Sequence, residues 1–139
     1  MTENERIVKW NEDRNLIKTI DDVNIKKEIS FIIEECIEMV SAQRSEDARE
    51  LAESIAEQIM THADGKFDRE RIVDGAADIK VFTSGLIRKL NYNPDTVMNE
   101  VLQEIESRSG SIQEGKFVKD KSPEAQAKWY KADFSKAEL

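Results

Sequence analysis

Three carboxylates in the stretch Ile32 to Val40, read IIEECIEMV, fall where one helix face can use them together. Glu34 and Glu38 are four residues apart, Glu35 and Glu38 three apart, and helical side chains at those spacings are neighbours. Phe31 projects into the same patch. Acids so placed repel one another unless a cation or a basic partner sits among them. A second pair, Asp74 and Asp78, is four apart within VDGAADIKVFTSGLI, a segment nearly apolar around its whole helical circumference. That composition marks a helix buried on most sides. A buried, unpaired carboxylate is very expensive, so this pair is expected to be neutral, paired or coordinating. Lys80 lies well around the helix from both and offers no easy counter-charge. A salt bridge from elsewhere in the fold is one resolution; a cation shared among the two acid sets is the other. All-oxygen ligation selects a hard ion, Mg²⁺ or Mn²⁺.

Periodicity gives the elements that must carry these residues. A first helix is expected over residues 4 to 20, with Ile7, Trp10, Leu16, Ile17 and Ile20 as its apolar members. Trp10 could offer a flat stacking surface and Asn11 a two-sided hydrogen-bonding group; the plainer expectation is that Trp10 anchors the core. The second helix runs from Ile25 to about Ala42 along Ile25, Ile29, Ile32, Ile33, Cys36, Ile37 and Val40. Ser45 is expected to cap a third, through Ala48, Leu51, Ala52, Ile55 and Ile59, with Glu46, Glu50, Glu53 and Glu57 as a solvated line. The turn-rich stretch THADGKF, with Asp64-Gly65, leads to a fourth helix from about Arg69 to Leu90. Asn93-Pro94-Asp95 is a helix start, and the fifth helix runs to about Ser107. Beyond it the chain reads as an extended tail with one short helix, opened by Ser122-Pro123-Glu124 and carried through Trp129 and Tyr130, whose aromatics dock the tail.

Composition limits the functions these elements can serve. The 139 residues suit one helical domain, residues 1 to 107, with the tail at 108 to 139; 39% are apolar, and five glycines and two prolines leave little room for an all-β fold. No apolar run nears the ~18 to 20 residues of a membrane span, and the polar N-terminus is no signal peptide, so a soluble cytoplasmic protein is expected. Cys36 sits on the apolar stripe and reads as a small buried residue. His62 is the one histidine, too few for a zinc site or a histidine-based triad. The net charge of −8 excludes a general nucleic-acid binder. The tail holds seven basic and five acidic residues, a balance of +2, which leaves −10 for residues 1 to 107. An acidic body with a basic tail suits cations bound to the body and a tail closing over an anion, or over a partner subunit.

These residues also carry a resemblance. Glu34-Glu35-x-x-Glu38, followed by Asp74-Gly-Ala-Ala-Asp78-Ile-Lys-Val-Phe, is similar to the EExxE and (E/D)…D helices of the MazG-like all-α NTP pyrophosphohydrolases. SRSGSIQEGKFVKDKSPEAQAKWYKADF resembles the ends of small phage-encoded members, so the likeness spans helices two, four and five and the tail. The second motif departs from the usual ExxD: Gly75 stands three before Asp78, and Asp74, four before it, takes the role. The resemblance implies a four- to five-helix bundle in which antiparallel helices hold Mg²⁺ and a (d)NTP is split into (d)NMP and pyrophosphate. Glu35, Glu38, Asp74 and Asp78 would be metal ligands, with Glu34 a further ligand or the group orienting the attacking water. Arg108, Lys116 and Lys119 would clamp phosphates, with Trp10 and Asn11 in the base pocket. A homo-oligomer, dimer or tetramer, is implied. The alternative from another class is a non-catalytic acidic helical module for interaction or regulation.

Overall fold

The computed structural model describes residues 1–17, 19–42, 46–62 and 66–139. It is mostly helical, with one small hairpin: α1 (Glu3–Asp13), α2 (Ile25–Ser41), α3 (Glu46–His62), α4 (Arg69–Lys89), α5 (Pro94–Ser107), β1 (Gly110–Gln113), β2 (Lys116–Lys119) and α6 (Pro123–Gln126). No helix among the described residues is long and apolar enough to cross a membrane. The chain forms two compact units, one of residues 19–74 and one of residues 1–18 with 75–139. The tail from residue 108 onward thus belongs to the same unit as α1 and α5.

In the first unit, Asn24 caps α2 by accepting the Lys27 N–H at 3.2 Å. The row Ile25, Ile29, Ile33, Ile37 and Val40 is half-buried and α2 packs on α3, whose own half-buried row is Ala52, Ala56 and Met60. Alanines at two of those three positions let the helix axes approach closely. Cys36 is exposed, not buried as its place in the stripe suggested. The stripe is wider than one helix can cover: Ile32 and Met39, on the same flank as Cys36, are exposed too. Leu51, Ile55 and Ile59 of α3 are likewise exposed. His62 ends α3 rather than lying in a loop, exposed, its Nδ1 2.9 Å from the Gln58 carbonyl. The expected cap Ser45 and the Asp64-Gly65 turn lie outside the described residues.

In the second unit, Thr2 and Glu5 form a reciprocal capping box at the start of α1. That helix stops at Asp13, seven residues short of the expected Ile20. Asn15 takes a positive φ of 55°, the Leu16 N–H returns to the Asn11 carbonyl and the Asn15 N–H to that of Glu12, which is a Schellman stop. The same device ends α4, with Asn91 at φ 70° and the Tyr92 N–H bonded to the Ile87 carbonyl. Asn93 caps α5 through the Thr96 N–H, and Pro94 fills the first helical position. α1 packs on α5, where the Arg6 guanidinium grips both oxygens of Glu106 at 2.9 and 3.1 Å and reaches Asn99 Oδ1 at 2.9 Å.

The tail contains the β1–β2 hairpin, a feature the sequence reading lacked. Its two-residue turn is Glu114-Gly115, both with positive φ, the backbone that matches the twist of paired strands. Gly110 is required at its base: a Cβ there would collide with the Val118 carbonyl oxygen and lie 2.9 Å from the Phe117 ring. Ser122 caps α6 as expected, but that helix ends at Gln126, before Trp129 and Tyr130.

Tyr130 does dock the tail. It and its neighbours converge on Glu100 of α5, a carboxylate only 3% exposed. Tyr130 donates its hydroxyl, Asp133 its N–H at 3.3 Å, and Lys136 Nζ lies 3.4 Å away. The Tyr130 hydroxyl holds the Glu100 carboxyl below the usual glutamate range, with the Asp133 amide and Lys136 adding to it against the opposing effect of burial. Around this pin Ala125, Ala137 and Leu102 are buried, and the Asn93 N–H bonds the Ala137 carbonyl at 2.8 Å.

Helix α4 departs most from expectation. Much of its apolar circumference is exposed, Phe82 at 76% and Val81 and Val73 above 60%, and none of its residues is fully buried. Within each unit, among the described residues, no helix packs along it. Its ties include Lys80 Nζ, bonded to Asn4 Oδ1 at 2.8 Å and 3.7 Å from Glu3.

Glu100→Gln should lower the melting temperature by several degrees at neutral pH, since it sets an amide among donors that require an acceptor. Because the folded carboxyl is shifted downward, its contribution is full above the ordinary glutamate value of about 4.3 and is lost as the pH falls through the folded value. Thermal scans of parent and variant from pH 7 to pH 3 should therefore converge at the acid end. A gap that stays constant with pH would remove ionised Glu100 as the anchor.

Candidate functional site

The acids lie on well-formed helices. Glu34, Glu35 and Glu38 are all exposed, on the side of α2 away from the Ile33, Ile37 and Val40 row. Asp74 and Asp78 occupy successive turns of α4 and are exposed as well. Their exposure overturns the premise that burial forces them to pair or coordinate: water can solvate both. Among the described residues the carboxylates of Glu38, Asp74 and Asp78 enter no ion pair or side-chain hydrogen bond, which leaves them available as hard oxygen donors. Among the same residues no three His, Cys, Asp or Glu side chains converge as ligands, so neither acid set closes a cation site by itself. The donor type fits Mg²⁺ or Mn²⁺.

The second cluster is cationic and aromatic, and lies within the unit of α1, α5 and the tail. The four-residue spacing from Trp10 to Arg14 puts the Arg14 guanidinium over the indole, 4.1 Å from its centroid. Phe117 of β2 meets Trp10 edge to face at 5.1 Å and lies 5.0 Å from Arg14. One face of Trp10 is therefore covered by Arg14. Its Nε1 is buried without a partner, as is that of Trp129, whose ring lies 5.4 Å from the Arg108 guanidinium. The chain's two tryptophans thus each sit beneath an arginine. Asn11, half-buried, spends its amide on the Ile7 carbonyl at 2.8 Å.

Strand register sorts the tail's cations. Phe117 pairs with Ile112, and Lys119 with Gly110, on one face of the hairpin; Lys116 falls on the other. Lys116 and Lys119 thus point to opposite sides of the ribbon. Arg108 lies 3.2 Å from Glu104 through Nη2, and its Nε is buried and unbonded. Arg14, Arg108, Ser109, Ser111, Ile112 and Phe117 line a groove of about 500 Å³, with Asp13 at its edge. Asp13 is held by Lys9 at 2.8 and 2.9 Å. Trp10 and Arg108, chosen from the sequence, therefore belong to one neighbourhood, joined by Arg14. Arg14 itself was missed, although its spacing from Trp10 was a usable signal. Phe117 had no such signal, because its partner is more than a hundred residues away.

Comparison of the chain with protein-family models, with curated proteins and with solved structures found no match.

Phe117→Ala should loosen the cluster. Phe117 is half-buried, so the cost should be about 1–2 kcal/mol, below the ~3–5 of a fully buried phenylalanine. Tryptophan emission should shift to the red as water reaches Trp10. A variant with unchanged melting temperature and emission would show that this ring does not hold the groove together.

Proposed function

We propose that the chain is a metal-dependent nucleoside triphosphate pyrophosphohydrolase, releasing (d)NMP and pyrophosphate, and that it acts as a homo-oligomer. The observation that carries this reading is the pair of exposed acid sets at helical spacing, Glu34-Glu35-x-x-Glu38 on α2 and Asp74 with Asp78 on α4. Their likeness to the MazG-like motifs supplies the reaction. Glu35, Glu38, Asp74 and Asp78 would hold Mg²⁺, and Glu34 would orient the attacking water or complete the ligand set. Bound there, the ion would lower the pKa of water and neutralise charge developing on the phosphates. Arg108 and Lys119 would grip the phosphate chain and keep it in line for attack, which lowers the barrier by positioning. The exposed apolar residues Leu51, Ile55 and Ile59 of α3, and Val81 and Phe82 of α4, are of the kind a second subunit covers.

One observation favours the rival reading, a non-catalytic acidic module: no three acids converge among the described residues. The two separate in a screen of the eight common NTPs and dNTPs for pyrophosphate release with Mg²⁺. The enzyme reading expects turnover of at least one; silence across the panel, with no rise in melting temperature on adding Mg²⁺ or Mn²⁺, favours the module.

Two variants carry the assignment further. Glu38→Gln should reduce turnover at least a hundredfold with the metal-free melting temperature unchanged, because its carboxylate is exposed and unpaired. Activity within a few-fold of the parent would take Glu38 out of the ligand set. Asp78→Asn should behave alike, and a marked loss of metal-free stability would instead identify Asp78 as a structural partner. For the assembly, a sedimentation mass of ~16 kDa across micromolar concentrations would dismiss the oligomer.

A further inference from the structure

The most unusual charge in the unit of α1, α5 and the tail is Arg14. Its guanidinium has the Trp10 ring at 4.1 Å and the Phe117 ring at 5.0 Å. Nη1 donates to the Trp10 carbonyl at 3.1 Å. Among the described residues no carboxylate lies within ion-pair distance of it, whereas Arg6, Lys9 and Arg108 each have one. Asp13, the acid beside it, is already occupied by Lys9. Arg14 lines the groove, and its guanidinium has N–H donors beyond the one given to Trp10. A planar edge of paired donors matches the oxygens of a phosphate group.

The rest of the groove agrees. Arg108 is its second cation, with one carboxylate partner, Glu104, and a buried Nε that has none. Ser109 and Ser111 add hydroxyls to the lining, and Gly110 lies between them. The groove thus offers two guanidinium groups and two hydroxyls, while its one lining carboxylate, Asp13, is neutralised from outside.

We propose that this groove is a phosphate-binding site whose principal ligand is Arg14, and that it takes a polyphosphate without the help of a metal ion. None of the acids of α2 and α4 lines the site, and it goes beyond the hydrolytic reading: it would bind phosphate whether or not the chain turns a nucleotide over. Two sources share the chemistry, free pyrophosphate and the phosphate chain of a nucleotide.

The test is calorimetric titration of the full chain in EDTA, first with inorganic pyrophosphate and then with a nucleoside triphosphate. Saturable binding is expected, weakened at least tenfold by Arg14→Gln and by Arg14→Lys, which keeps the charge but loses the fork. Lys128→Gln, an exposed tail cation away from the groove, should bind within twofold of the parent. If Arg14→Gln proves unstable, Arg14→Lys carries the test, with its melting temperature measured alongside. Arg14-dependent binding of both ligands identifies the phosphates as the recognised group; Arg14-dependent binding of the nucleotide alone assigns the same site to a nucleotide's phosphate chain. No binding by the parent at millimolar ligand, or binding indifferent to Arg14, overturns the proposal. Since no turnover occurs in EDTA, failure of the hydrolytic reading leaves these outcomes unaffected.

Discussion

A carboxylate removed from water must be given donors, and Glu100 obtains all of its own from one direction. Tyr130, Asp133 and Lys136 are tail residues, so satisfying this one acid fixes the end of the chain onto α5. Other contacts follow from that placement. The Tyr130 N–H reaches Ser107 Oγ at the last turn of α5, and the Leu139 N–H reaches the carbonyl of Asn91, which also closes α4. With Arg108 held where α5 ends and Tyr130 held beside it, the intervening residues must leave and return, and the hairpin is how they do so. Phe117 is thereby carried to α1, and the stack on Trp10 exists because of a buried acid elsewhere on α5.

The distribution of charge takes on a different meaning once the fold is known. By sequence, the cations that matter were sought in the tail, where the balance is +2. Arg14, which has no carboxylate within ion-pair distance among the described residues, lies in the acidic part of the chain, and only packing brings it to the tail's hairpin. Among the described residues Glu38, Asp74 and Asp78 likewise remain unpaired, while Lys80, two residues beyond Asp78, bonds Asn4 and lies 3.7 Å from Glu3.

Local signals made much of this legible in advance. Strong periodicity and caps placed α2, α4 and α5 to within a residue or two, and Asn93-Pro94 marked its helix start correctly. What misled was periodicity that continued past a stop. Leu16, Ile17 and Ile20 extend the apolar pattern of α1, but Asn15 adopts the left-handed conformation and ends it. The hairpin escaped notice because its strands are four residues each and its turn is Glu-Gly in place of the more telling Asn-Gly. Apolar composition states what a helix could bury, not what its own chain can cover, which is why Cys36 and most of α4 were expected inside and are found exposed. Arg14 was within reach of sequence reasoning through its spacing from Trp10; the role of Glu100 was not, since all of its donors lie thirty or more residues away.

The unit that contains the arginine groove is discontinuous in the chain: α1 comes first, residues 19–74 form a unit of their own, and the rest follows. As the chain leaves the ribosome, α2 and α3 can pair as soon as both exist, because their contacts are close in sequence. Helix α1 must wait. Its ion pair with Glu106 spans a hundred residues, and its ring contact with Phe117 spans more. Closing so long a loop is slow and is rewarded only at the end, so the groove forms late in synthesis, and the indole of Trp10 stays uncovered until the hairpin has been made.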